Sequence, residues 1–351
     1  MQKQRSEIRR VVLYAVAAAV MMWVLLYAPT PYIVYEPGIA VPVRSMVAIE
    51  EGDQLGSGDF LLTAVKMIEP NFLLAIQSMW NSSREVHLKR DVLRGYTKEQ
   101  YTARMSVNML GSQNNAIEAA YRYAGLPYGT KTEGIIVSDV LAKGQEAAHY
   151  FEAGDQLLGI NGSYRFSSVK DMLETLRNSS KGAPIEFNIE RGSSSLSLVY
   201  PADAISSPLT DDELLEALGI QSLTELRSIE PADSNKTLHI AAGEIGGPSA
   251  GLVFALQSLD LLTEGDLSGG ERIAATGTLT ADGVVGPIGG MKQKIMIASQ
   301  EGAQLFLVPA ENYKSAVETV NSLKTEMVVA SVSTLQEAME QIEAFRAASV
   351  K

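Results

Sequence analysis

The 351-residue chain has no cysteine and only three histidines, His87, His149 and His239. The first absence excludes disulfides, zinc–thiolate sites and thiol nucleophiles, and it leaves the redox compartment unread. The second leaves little material for a metal cluster or a Ser-His-Asp triad, so no metal site is expected. Positive charge is scarce as well: 29 Lys and Arg stand against 41 Asp and Glu, a net −12. No basic cluster suited to a phosphate backbone occurs, which argues against nucleic acid as a partner. A G-x-x-x-x-G-K-[ST] loop, the backbone cradle that nucleotide phosphates need, is also missing from these residues, so neither a nucleotide nor another cofactor is expected.

Apolar residues are abundant, at 46%, enough for the cores of two or three domains. The run VVLYAVAAAVMMWVLLYA at residues 11–28 is 18 residues long and uncharged. A helix needs about 17–25 such residues to cross a bilayer. A buried core helix would carry a polar face, and a cleaved signal peptide would carry small residues at both −3 and −1, where Leu26 and Ala28 stand ahead of Pro29. The reading adopted is an uncleaved transmembrane anchor. Lys3, Arg5, Arg9 and Arg10 against Glu7 hold residues 1–10 in the cytoplasm, and everything after the span is then extracytoplasmic. Trp23 and Tyr27 suit the outer interface of such a span.

Beyond the anchor, VPVRSMVAIEEG and GDFLLTAVKMI read as strands, and NFLLAIQSMW as an amphipathic helix. A second helix lies within TKEQYTARMSVNMLGSQNNAIEAAYRYAG, ending at Gly125. From 126 to 203 the pattern becomes β-rich: EGIIVSDV, GDQLLGING, a helix in SSVKDMLETLRNS, then IEFNIERG and SLSLVYP. This unit resembles a PDZ domain, with FEAGDQLLGINGSY as its characteristic turn. The resemblance implies that Gly134, Ile135, Ile136 and Val137 form the strand that binds a peptide by edge addition. The loop before Gly134 departs from that family's short carboxylate-binding type. An acidic stretch with one or two capped helices follows, and from TLHIAAG onward strands and helices alternate as in an α/β domain.

The stretch GEIGGPSAGLVFAL, residues 243–256, carries the chemistry. Ser249 at a helix start can serve as an N-cap. Gly246, Gly247 and Pro248 before it also let the backbone approach a substrate, and the first-turn N–H groups can hold an oxyanion. A serine nucleophile needs a base. His239 is one candidate, and Lys292 and Lys294 in IGGMKQKIMIASQEG are the others. A lysine acts as a base when burial depresses its pKa toward 7, and Met291, Ile297 and Ala298 at helical spacing give Lys294 slightly more apolar cover.

Residues from about 237 to 320 resemble the proteolytic domain of Lon-type serine proteases, through GPSAG, ATGTLTADGVVGPIGGMKQK and LFLVPAEN. The resemblance implies that Ser249 is the nucleophile and Lys294 its base, with Thr276 supporting the amine and Gly247 and Pro248 shaping the turn. It further implies a mixed α+β or α/β architecture. The layout is then a cytoplasmic N-terminus (1–10), the anchor (11–28), a first part of the protease domain (31–125), an inserted PDZ-like domain (126–203) and the Lon-like domain with the dyad (204–351). Anchor, PDZ-like unit and Lon-like domain together resemble a family of membrane-anchored, PDZ-containing Lon-like proteases of bacteria. The implied function is an ATP-independent extracytoplasmic endopeptidase acting on peptides or unfolded proteins. Lon-type domains commonly form rings, so a homo-oligomer is compatible with the resemblance. The alternative is a membrane-tethered peptide-binding scaffold that no longer cuts. LSGGER at 267–272 looks like a transporter-ATPase signature but reads as a loop before a strand, and GVVGPIGG reads as turn chemistry.

Overall fold

The computed structural model describes residues 2–52, 56–141, 151–164, 166–179, 183–201 and 210–349. His149 lies outside them. The chain begins with a helix, Gln2–Tyr27, whose Glu7–Tyr27 portion has a mean hydropathy of 2.0 and buries none of its apolar window against the rest of the protein. By length and composition it can cross a membrane.

The main body is a three-layer α/β arrangement. A six-stranded sheet runs in the order Val328–Val332, Leu305–Pro309, Arg272–Ala275, Asp59–Ile68, Tyr32–Pro42, Glu85–Leu88. The first four strands are mutually parallel and the last two join antiparallel. Successive side chains of a strand point to opposite faces, and here both faces are covered. Phe60, Leu62, Ile273, Ala275, Leu305 and Leu307 enter one core, while Leu61, Ala274, Phe306 and Val308 enter another on the opposite face. That double burial is why these strands read as continuous apolar runs.

Helix Gly251–Leu262 fills the first core, with every residue from Gly251 to Leu261 buried. A helix apolar on all sides is stable only inside a core. Helices Lys98–Tyr123 and Leu335–Ser349 pack against it. Helices Met291–Gln300 and Tyr313–Leu323 cover the other face of the sheet. Thr97 and Gln100 close a capping box at the start of the long helix Lys98–Tyr123.

The second sheet is antiparallel, in the order Ile220–Pro231, Tyr128–Val140, Gln156–Ile160, Ile185–Arg191, Ser194–Tyr200. It has its own core, in which Phe151, Phe187 and Tyr200 pack ring to ring at 5.1–5.7 Å. Asp155, fully buried, accepts two hydrogen bonds from the Arg191 guanidinium at 2.7 Å each, fixing the Gly154–Asp155 turn to strand Ile185–Arg191, the neighbour of the strand that follows the turn.

Three sequence expectations change. The stretch VPVRSMVAIEEG holds a short 3-10 turn, Val43–Ser45, and only a three-residue strand, Val47–Ile49; the longer strand is Tyr32–Pro42 before it. Helix Asp211–Ala217, assigned by sequence to the region from 204 onward, instead packs with the second core through Leu214 and Leu218. Of the one or two capped helices expected in this stretch, Asp211–Ala217 is the one present, and the residues after it form strand Ile220–Pro231. Leu223, Leu226 and Ile229 have helical spacing, yet the strand satisfies it by register shifts. Leu223 packs on the second core and Ile229 on the first. LSGGER lies in the loop ahead of strand Arg272–Ala275, as expected.

Candidate functional site

The site forms where the parallel pairing of strands Arg272–Ala275 and Asp59–Ile68 ends. Ala275 pairs with Leu62 at the last rung of that ladder. Thr276 then leaves the sheet, while Thr63 continues its strand in pairing with Ala40 on the other side. The sheet's two faces carry the helices of the predicted pair: the Ser249 turn and its helix belong to the first core, the Lys294 helix to the second face. Their side chains meet across the strand ends, the usual place for a site in an open α/β sheet.

Gly246 and Gly247 set the serine turn. Gly247 has φ 92° and ψ 158°, a conformation suited to glycine, and its N–H donates to Met105 O at 2.8 Å. A Cβ on Gly246 would stand 2.9 Å from the Cβ of Met105, so the turn can lie this close to the long helix only without one. Pro248 opens a single 3-10 turn, Pro248–Ala250, and Ser112 Oγ donates to Pro248 O at 3.0 Å. Ser249 O accepts from Gly277 N at 2.9 Å and from Thr276 Oγ1 at 3.1 Å. Ser249 is thus not an N-cap: the cap position is Gly247, and no side chain caps this turn.

Lys294 Nζ donates to Thr63 O at 2.7 Å, to Ser249 Oγ at 3.0 Å and to Thr276 Oγ1 at 3.1 Å. The residue is only 4% exposed, and burial pulls its amine down from the ordinary value of 10.5 to about 7. The three contacts also arrange the neutral form. The Thr63 carbonyl can only accept, so it takes one N–H. The Thr276 hydroxyl sends its own proton to Ser249 O, so its oxygen takes the second. The amine lone pair then faces Ser249 Oγ, whose proton it can receive.

The other candidate bases are elsewhere. His239 sits on a short surface strand, two-thirds exposed, with Glu50 as its charged neighbour at 4.0 Å. Lys292, half-buried on the same helix, does not line the cleft in which Ser249 and Lys294 sit. That cleft encloses about 570 Å³, and its walls include Tyr35, Met67, Met105, Met109, Ile245 and Ile288. Sequence reasoning missed the Thr63 carbonyl and the Met105 carbonyl. Backbone acceptors carry no residue-type signal.

Gly134 to Val137 depart from the expectation of edge addition. Ile135 and Ile136 pair with Leu157 and Gln156 on one side, and Gly134 to Val137 pair with Leu226 to Leu223 on the other. Strand Ile220–Pro231 already occupies the place where an added peptide would lie. It is tied to the neighbouring helix as well, where the Val169 N–H donates to the Glu225 carboxylate. Capture of a substrate strand at Gly134–Val137 therefore does not hold.

A buried amine aimed at a serine on a glycine-preceded turn is the arrangement that a serine nucleophile with a lysine base requires. Residues 222–344 match the family model of the Lon protease (S16) C-terminal proteolytic domain. Over 110 residues the chain is 33% identical to the Lon protease of Rickettsia bellii, covering 31% of this chain and 14% of that protein. It is 32% identical over 126 residues to the Lon protease of Bacillus thuringiensis, covering 34% and 16%. The chain thus spans about a seventh of the length of the curated relatives it matches.

Proposed function

We propose that this chain is a serine endopeptidase that works without ATP and is held at the outer face of the cell membrane by residues 7–27. Ser249 Oγ attacks a peptide carbonyl while Lys294 Nζ takes its proton. The backbone N–H of the Ser249 turn steadies the oxyanion, and Lys294 then returns the proton to the leaving amine. Water, deprotonated by the same amine, releases the acyl group. Thr276 is a positioning residue that orients the lysine. Peptides and unfolded segments are the substrates that an open apolar cleft fits.

One observation carries the reading: the Lys294 amine is buried, brought to about 7, and 3.0 Å from Ser249 Oγ. The match of residues 222–344 to the Lon proteolytic domain supports it. The second sheet, with its Gly-Asp turn and following helix, is proposed as a PDZ-like insertion between the two halves of the protease body. Independence from ATP is supported by the lack of a phosphate-cradling loop in the sequence, and the outward topology by the basic residues ahead of the span.

The test is digestion of a fluorescent casein by the purified full chain in detergent or vesicles. Ser249→Ala and Lys294→Ala should each lower turnover by about 10³-fold or more with circular dichroism unchanged. A fluorophosphonate should label the wild type at Ser249 alone. Full cleavage by Lys294→Ala would overturn the assigned base, and a wild type that neither cleaves nor labels would turn the reading to a peptide-binding scaffold.

A further inference from the structure

Helix Phe72–Met79, in the stretch NFLLAIQSMW, is built inside out. Asn71 caps its first turn, accepting from Leu74 N at 2.8 Å. Its protein-facing positions are small: Ala75 and Ser78 are each 1% exposed. Leu73 and Ile76, each 39% exposed, Met79 at 58% and the following Trp80 at 80% point the other way, while Phe72 and Leu74 are half-buried. At 100° per residue, Leu73, Ile76, Met79 and Trp80 share one face. No residue from Phe72 to Trp80 is charged. In a surface helix of a soluble body the bulky side chains turn inward, so this contiguous outward face needs a covering.

The location names what covers it. The helix packs against the outer end of the N-terminal helix, where Leu25 and Leu26 are half-buried, and Thr30 Oγ1 donates to Pro70 O at 2.8 Å between the two. The exposed apolar surface of Glu7–Tyr27 is thus continued, after a short turn, by the exposed face of Phe72–Met79. An uncharged helix with a tryptophan at its end, placed where a span leaves the bilayer, matches the composition of the membrane interface.

We propose that helix Phe72–Met79 lies flat in the outer leaflet beside the anchor, its Leu73–Ile76–Met79–Trp80 face immersed among lipid headgroups and upper acyl chains. The contact is apolar. It therefore does not require anionic lipid, which a chain of net charge −12 would not favour. The proposal rests on reading residues 7–27 as a membrane span, and the two tryptophans of the sequence, Trp23 and Trp80, separate the two claims.

The full chain is reconstituted into phosphatidylcholine vesicles in two forms, Trp23→Phe, which reports Trp80, and Trp80→Phe, which reports Trp23. The expected result is that Trp80 emission is blue-shifted, quenched by phosphatidylcholine brominated near the headgroup, and protected from aqueous iodide, while Trp23 is quenched by brominated lipid too. If Trp23 is quenched by lipid but Trp80 is open to iodide and untouched by brominated lipid, the interfacial helix is wrong and the span survives. If Trp80 is shielded from iodide yet unquenched by lipid, a protein surface covers the face and the proposal is overturned. If neither tryptophan meets lipid, the span and the proposal fail together.

Discussion

Lys294 is the residue on which the chemistry turns, and its burial is visible in more than activity. Its folded pKa, about 7, lies below the ordinary 10.5. Between those values the unfolded chain holds a proton that the folded chain has released. This residue's contribution therefore makes stability rise with pH across that window, by about 1.4 kcal/mol per unit, and fall as pH drops toward 7. Lys294→Met should remove that slope and leave a protein more stable at pH 7, read as the difference between urea midpoints of variant and wild type from pH 7 to 9.5. The same proton sets the rate: acylation should climb along a limb centred near pH 7. Thr276 separates positioning from chemistry. Thr276→Ser keeps the hydroxyl, while Thr276→Val loses one acceptor for the amine and one donor to Ser249 O. The valine variant should cut kcat by about 10–100-fold and shift the midpoint of the pH–rate limb, and serine should restore both. The glycines before Ser249 marked that serine in the sequence, whereas apolar neighbours favoured Lys294 over Lys292 only slightly and the resemblance to Lon-type domains decided between them. The Thr63 carbonyl, the amine's shortest contact, carried no such mark, since any residue at that position of the strand would supply the same oxygen.

Among the elements, the serine turn makes the sharpest prediction. Alanine at Gly247 would have to adopt φ 92°, where a Cβ is strained by about 1–3 kcal/mol. Gly247→Ala should therefore lower stability by roughly that amount and displace Ser249, abolishing cleavage. The pH dependence of stability attributed to Lys294 should persist in it, because the lysine's burial comes from the other helix. The parallel strands and the helices at 98–123, 251–262 and 291–300 could be anticipated because each keeps one burial pattern along its length. Two strands could not. Tyr32–Pro42 contains Pro37 and Gly38, which read as a turn, and it absorbs them with a register shift against its antiparallel neighbour. Ile220–Pro231 serves a different core at each end, so no single periodicity describes it. Its pairing with Tyr128–Val140 covers Gly134–Val137, and that long-range pairing carries no local signal in the sequence.

At the scale of the molecule, the main body and the second sheet meet along strands Tyr128–Val140 and Ile220–Pro231 and the helix Lys98–Tyr123 that packs on them. Phe187→Ala, which opens a hole in the aromatic cluster of the second core, should cost that unit about 3–5 kcal/mol. Hydrogen exchange should then accelerate in Ile185–Arg191 and Ser194–Tyr200, with the amides of Gly251–Leu262 and Arg272–Ala275 unchanged. If both groups accelerate equally, the cores unfold as one. The joint itself is specific. Arg227 pairs with Glu118 at 2.9 Å and donates to Asn115 Oδ1 at 2.8 Å, while Asn114 exchanges two hydrogen bonds with the Arg227 backbone. All three partners lie on helix Lys98–Tyr123, and the same helix grips the nucleophile's loop at two points, through Met105 O and Ser112 Oγ. A single rod thus has the appended module clamped along one stretch and the reacting serine along another. A displacement of that rod would change the 3.0 Å separation between the Ser249 hydroxyl and the Lys294 amine, whose helix belongs to the opposite layer.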